Sequence, residues 1–229
     1  TGDRCLASMG IYVFNADAML GALEGEFTDF GKEIIPSLVG EKDIRSHVFD
    51  GYWEDIGTVR AFFEANLQLT DEVPSFDFYD EDYPIYNYPD ILPTAKLNQC
   101  QLNRTTIASG CMVGSSSFER CMLGVRSVVG NDCKLQNVVM MGADYFDISG
   151  NQRVESPDSG DENIGVGDRS VIENSIIDKN AKIGTDVNLS PNGVEEGWSD
   201  DNLGIYVRDG ILVVVKNAVV PSGTKIGSS

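Results

Sequence analysis

Asp55 stands between the apolar, aromatic stretch Tyr52-Trp53 and the turn-former Gly57, just ahead of Thr58. By position alone it reads as an acid at a helix N-terminus, where a negative charge offsets the helix dipole. Ser8 opens an apolar run and by itself reads as a hydroxyl bonded to its own backbone. Lys179 and Lys216 each follow an apolar residue, Ile177 and Val214, by two positions. This puts both in one register of a repeat, pointing outward, and two cations on an acidic protein make a local anion site. Taken singly, each is a solvated lysine. Trp53 can line a pocket or simply pack. His47 is the only histidine, which removes most His-based metal sites and the Ser–His–Asp arrangement; it reads as a surface residue. The five cysteines, Cys5, Cys100, Cys111, Cys121 and Cys133, are odd in number and contain no CxxC. Free structural thiols in a reducing compartment are the expectation.

The elements that must position these residues fall into three stretches. Residues 1–70 read as α/β. Gly10-Ile11-Tyr12-Val13-Phe14 predicts a buried strand, and Asn15-Ala16-Asp17 the start of a helix. Asp29 to Pro36 predicts a short capped helix. Tyr52 to Gly57 reads as strand-to-turn, and Thr58 caps an amphipathic helix through Ala61, Phe62, Ala65, Leu67 and Leu69. Residues 71–98 are acidic, aromatic and proline-bearing without a held period, a linker that packs through its aromatics. An apolar strand with no neighbours ahead of it also suggests that the chain is a fragment.

Residues 99–229 carry an internal repeat. Apolar residues recur every six positions: Leu123, Val129, Leu135, Met141; Val171, Ile177, Ile183, Leu189; Val214, Val220, Ile226; and, briefly, Ile107, Val113. The fourth residue after a rung is small or β-branched, as at Cys111, Ser117, Ser127, Cys133, Val139, Ser175, Ala181, Val187, Ala218 and Thr224. This pattern predicts a parallel β-helix of hexapeptides, three to a triangular coil, with the small residue where the wall turns. Antiparallel hairpins would demand period 2 instead. The breaks near 142–163 and 190–212 are expected as polar loops expelled from the coil. The coil ends are open sheet edges that oligomerisation would cover.

Asp and Glu total 36 against 17 Lys and Arg, a formal charge of −19. Such a surface argues against nucleic acid and anionic membranes as partners. No apolar run is long enough for a membrane-spanning helix, and nothing reads as a signal peptide.

Several segments resemble, in order and spacing, the glucose-1-phosphate adenylyltransferase (ADP-glucose pyrophosphorylase) family. They are Ala7 to Phe14, Asp29 to Pro36, Tyr52 to Thr58, Phe76 to Asp80, Pro84-Ile85-Tyr86, Met141 to Tyr145, Ile176 to Gly184, and Lys216 to Thr224. The similarity spans nearly the whole chain and is closest to the oxygenic-phototroph type of glycogen and starch synthesis. It implies an α/β remnant of a nucleotidyltransferase (Rossmann-like) domain followed by an all-β left-handed parallel β-helix of hexapeptide repeats. The chain resembles about the last half of a family member, without the Gly-rich nucleotide loop, the first metal-binding Asp or the Glu-Lys-Pro segment. Such a fragment is not expected to catalyse.

The resemblance also assigns roles. The family converts ATP and glucose 1-phosphate to ADP-glucose and pyrophosphate with Mg²⁺. Asp55 matches the metal-binding and catalytic carboxylate, and Ser8 a residue holding the sugar or its phosphate. Lys179 and Lys216 match lysines that bind an anionic metabolite effector. Homo- or hetero-tetramers in a bacterial cytoplasm or plastid stroma are implied. Two departures bear on the effector: Glu173-Asn174 and Tyr88-Pro89-Asp90 stand where basic residues are common in the family. An alternative is a regulatory or scaffold subunit of a hetero-oligomer. A hexapeptide-repeat acyltransferase would use a His on the β-helix as its base, and His47 lies outside the repeat.

Overall fold

A chain that turns every few residues while keeping its apolar side chains inward needs left-handed backbone at its corners. Asn and Asp adopt that conformation at least cost after glycine. The computed structural model, which describes residues 7–87, 91–146 and 163–228, shows three such corners repeated along a parallel β-helix. One carries Arg104, Arg120, Asn137 and Asn174; the second Gly110, Arg126, Asn180 and Asn217; the third Asp132, Arg169, Asp186 and Gly223, all at positive φ. The residue after a corner points into the prism, where space is least. That explains the small side chains of Cys121 and Ser175, of Cys111, Ser127, Ala181 and Ala218, and of Cys133 and Ser170. Burial pushes the Cys121 thiol up to about 12 and raises Cys111 and Cys133 as well, so these thiols stay protonated.

The strands are β1 (Lys96–Leu97), β2 (Gln101–Ile107), β3 (Met112–Val113), β4 (Ser117–Leu123), β5 (Val128–Val129), β6 (Lys134–Met140), β7 (Gly165–Val166) and β8 (Val171–Ile177). They continue as β9 (Lys182–Ile183), β10 (Asn188–Leu189), β11 (Ser199–Asp200), β12 (Ile205–Arg208), β13 (Ile211–Val214), β14 (Val219–Val220) and β15 (Lys225–Ile226). One wall stacks β1-β3-β5-β7-β9-β14, and β2-β4-β6-β8 bend through the first corner to make the other two. Gln101 pairs with Ser117 and Ser117 with Lys134, so a coil takes 16 or 17 residues rather than the 18 of three hexads. Lys134 pairs with Val171, and Asn188 with Lys225, because each of those coils carries an insertion.

The shorter coil corrects the strict period. Leu123, Val129, Leu135, Ile177, Ile183, Leu189, Val214 and Val220 are buried as expected. In the two coils where the count slips, Met140 and Ile172 take the inward places of Met141 and Val171. Val139 faces outward, where with Ile176 and Ile211 it buries Phe63 and Leu67 of the helix Val59–Gln68. Thr58 caps that helix by accepting from the Ala61 N–H at 3.1 Å. Arg120 reaches Glu64 at 3.1 Å, Arg104 pairs with Asp71, and Arg60 donates to the Asp209 carbonyl, tying the helix lengthwise to the coils.

The second insertion is not a polar loop. β11, β12 and β13 form an antiparallel meander, and Ile205 and Val207 are buried with the period 2 that such pairing requires. The first lies largely in 147–162, outside the described residues, as do Cys5 and the 88–90 segment.

The chain divides into compact units Thr1–Gly51 and Tyr52–Ser229. In the first, Asn15 precedes a helix at Ala16–Ala22. Asp29 caps a wide π-helical turn, Phe30–Ile34, that runs into Ile35–Leu38, with Pro36 in the last turn, near the helix end. Glu33 completes a reciprocal cap by accepting from the Thr28 and Asp29 N–H groups at 2.9 and 3.0 Å. The strand expected at 10–14 does not form: the segment is unpaired, with Ile11 72% and Val13 98% exposed. A strand needs a partner for its backbone, and among the described residues none lies alongside. Residues 52–57 are likewise irregular. Of the 71–98 stretch, Phe76 stacks on Tyr52 with ring centroids 6.4 Å apart, while Tyr79, Tyr83 and Tyr86 are exposed. Lys96–Leu97 already forms the first rung.

Candidate functional site

The second corner gathers the charged groups. Its successive levels are tied by backbone bonds from Arg126 N–H to Ser109, Ala143 N–H to Val125, Asn180 N–H to Gly142 and Asn217 N–H to Lys179. Because Lys179 and Lys216 each immediately precede a left-handed asparagine, Asn180 and Asn217, they occupy the same place on adjacent coils. The shared register read from the sequence therefore brings their side chains together. They converge on one carboxylate: Lys179 Nζ lies 3.0 Å from Asp144 Oδ1, and Lys216 Nζ 2.9 Å from Asp144 Oδ2.

Asp144 is positioned from beneath. Asn180, only 4% exposed, accepts from the Asp144 N–H through Oδ1 at 2.8 Å and donates through Nδ2 to Asp144 Oδ2 at 3.1 Å. The same Nδ2 reaches Asn217 Oδ1 at 3.2 Å. Gly142, two residues earlier, has φ +89, and a Cβ there would overlap the Val125 carbonyl. Only glycine lets the chain leave the corner with Asp144 turned back onto the lysines. Hydrogen bonds from Lys216, Lys179 and Asn180, in that order, hold the Asp144 carboxyl well below the usual carboxylate range, and Asp144 raises Lys216 in return. One level away, Arg126 donates to the Ala143 carbonyl at 3.3 Å and lies over the Phe146 ring, 5.8 Å from its centroid.

Neither Asp144 nor Arg126 is among the site residues that the sequence points to. Asp144 lies just after the hexad break at 142, and only the coil register shows that such a residue lands beside positions near 180 and 217.

The other expected site residues lie elsewhere. Ser8, in the first unit, is exposed; its Oγ accepts from the Gly10 N–H at 3.1 Å and shares a 3.1 Å hydrogen bond with the Tyr12 hydroxyl. Asp55, in the second unit, is exposed, and its Oδ1 accepts from the Gly57 N–H at 3.0 Å. This turn delivers the chain to Thr58 and its helix. Trp53 and His47 are exposed. Among the described residues no group of three or more His, Cys, Asp or Glu side chains is placed to hold a metal, so a site at Asp55 has at most two such side chains. Mg²⁺ accepts such a donor set, since it is bound through one or two carboxylates with substrate phosphates and water completing its shell. No helix among the described residues is long and apolar enough to cross a membrane.

Comparison with known families matches two regions. Residues 3–72 match a family described as nucleotidyl transferase, and residues 90–225 one described as GLGC left-handed parallel beta-helix domain. The pair, in this order, fits a nucleotidyltransferase of the ADP-glucose pyrophosphorylase type. The second match fixes the hand of the coil as left and takes in more than half of the sequence, including both lysines and Asp144. The chain thus belongs to the GLGC left-handed parallel β-helix domain family.

Proposed function

We propose that the protein carrying this chain transfers an adenylyl group from ATP to glucose 1-phosphate, releasing pyrophosphate, and that an anionic metabolite bound at Lys179 and Lys216 regulates it. The observation that carries this reading is the succession of a nucleotidyl transferase match and a GLGC β-helix match in one chain. The reaction brings two polyanions together, so charge must be neutralised and the attacking phosphate aligned. Bound to Asp55, Mg²⁺ would supply that neutralisation. Asp55 holds its carboxylate at a fixed place because Oδ1 is tied to the Gly57 N–H, which limits side-chain freedom before any ligand arrives. The Ser8 hydroxyl accepts from Gly10 and, with the Tyr12 hydroxyl as donor in the bond they share, would have its own proton to give to a sugar or phosphate oxygen. At the second corner, the paired lysines present two ammonium groups to an effector anion on an otherwise acidic surface. The full enzyme is proposed to work as a tetramer.

The test is pyrophosphate release by the full-length protein with ATP, Mg²⁺ and glucose 1-phosphate, with and without 3-phosphoglycerate or fructose 1,6-bisphosphate. Asp55→Asn should lower turnover by at least about 10²-fold, the scale of removing one charge-stabilising group from a transition state, with assembly intact. Near-normal turnover removes Asp55 from the metal site. Lys216→Glu should weaken activation by at least about tenfold, the effect of about 1.4 kcal/mol in binding; an unchanged activation curve returns Lys216 to the solvated surface. Turnover that appears only on adding a partner subunit makes the chain a regulatory subunit.

A further inference from the structure

We infer that Asp144 is a built-in competitor for the lysine pair: its carboxylate occupies the place of an effector's anionic group, and a phosphorylated ligand binds by displacing it. This rests on the reading of Lys179 and Lys216 as an anion site and adds to it the group that sets the threshold for occupancy.

The geometry is that of an intramolecular ligand. One carboxylate spans both ammonium groups, at 3.0 and 2.9 Å, with a separate oxygen for each. A phosphate would present the same pair of oxygens to the same pair of donors. All three side chains are partly exposed, so an anion from solvent can reach them. The carboxylate is aimed by Asn180, itself buried, and by the glycine turn at 142. Asp144 is tethered, so it acts at a high effective concentration against a free anion. If it holds the lysines about nine-tenths of the time, the apparent affinity for an anion falls about tenfold, in proportion to the fraction of open sites.

Displacement also has a mechanical side. Asp144 is two residues from Phe146, whose ring lies over Arg126 one coil level back. An anion that takes the lysines releases the carboxylate from its side-chain ties to the next two coils, while the bonds from the Asp144 N–H to Asn180 and from the Asn180 N–H to Gly142 stay in place. Effector occupancy and the position of the Asp144 side chain are thereby coupled, each favouring the other to the same extent.

The probe is inorganic phosphate, titrated calorimetrically into the whole chain at low ionic strength. Asp144→Asn keeps the Asn180 contacts within reach and removes the charge, so it should tighten phosphate binding about tenfold. Glu195→Gln, an exposed residue of the second insertion, changes net charge equally and should move binding less than twofold. Adding Lys216→Gln to Asp144→Asn should abolish the gain. If Asp144→Asn binds phosphate no more tightly than the parent while Lys179→Gln and Lys216→Gln each weaken it, the lysines are an anion site but Asp144 is no competitor. If neither lysine variant changes phosphate binding, or no variant binds it, the anion-site reading falls and this inference with it. Equal gains in Asp144→Asn and Glu195→Gln also overturn it, because net charge alone then accounts for the effect.

Discussion

Val13 and Leu135 both sit in runs that read from the sequence as buried, yet Val13 is 98% exposed and Leu135 2%. The two regions differ in where the partners are. In the β-helix each rung meets its neighbour one coil away, 16 or 17 residues along or 37 where a coil carries an insertion. The pattern and the residues that satisfy it lie in the same stretch of chain. In the first unit, alternation at 10–14 states a demand for flanking strands, and among the described residues none answers it. An apolar period therefore reports what a segment can bury; only the rest of the chain decides whether it does.

The sharpest way to break this comparison is to truncate both sites. Leu135→Ala should cost about 3–5 kcal/mol, since the coil interior cannot collapse on the cavity, whereas Val13→Ala should change stability by less than about 0.5 kcal/mol. Urea unfolding followed on the β-sheet signal and on a probe in the first unit reads both. A large loss for Val13→Ala would mean that the first unit has a packed partner after all.

Backbone demands offer a finer contrast. Gly142 and Gly10 both have positive φ, +89 and +72, but a Cβ at Gly142 overlaps the Val125 carbonyl while one at Gly10 meets nothing within 4 Å. Gly10→Ala should cost only the conformational term, about 1 kcal/mol. Gly142→Ala should cost about 2 kcal/mol or more, with steric overlap added to that term. Equal losses would mean that the corner relaxes freely and does not hold Asp144 in place.

The smallest effects are electrostatic. Glu33 and Asp144 both titrate below their ordinary range, but Glu33 is held by the nearby Thr28 and Asp29 N–H groups, and Asp144 by lysines on two later coils. Each is a depressed carboxyl, so its stabilising contribution is present above the unfolded value, about 4, and is lost as pH falls through the folded one. Carboxyl-carbon titration by NMR should show both shifts in the native protein. Raising salt should diminish the Asp144 shift more, since ion pairs screen and hydrogen bonds to backbone do not. A salt-insensitive Asp144 would place its stabilisation in Asn180 rather than in the lysines.

Much of the β-helix is written locally. Apolar rungs, small corner residues and the exits near 142 and 190 all follow from a residue and its sixth neighbour. The slip to Met140 and Ile172 does not, because a coil of 16 or 17 residues emerges from corner geometry rather than from residue type. Val139 fits the pattern as a β-branched residue four after its rung, but its outward place is apolar only because the helix Val59–Gln68 covers it. The meander at 199–214 hides because its first strand, Ser199–Asp200, is polar and its apolar alternation, at Ile205 and Val207, spans only a few residues. At the lysine corner, the shared register of Lys179 and Lys216 is legible in their spacing from Ile177 and Val214. Asp144 is not, since its approach depends on Gly142 and on a buried asparagine 36 residues downstream.

The helix Val59–Gln68 lies against Val139, Ile176 and Ile211, one residue from each of three successive coils. Under tension that contact works as a cross-brace. An unbraced solenoid pulled from its end peels one coil at a time, releasing about 55–60 Å of chain per step at about 3.4 Å per residue. Here the braced coils would let go together with the helix, as one larger and stronger event, leaving the coils at either end to yield singly.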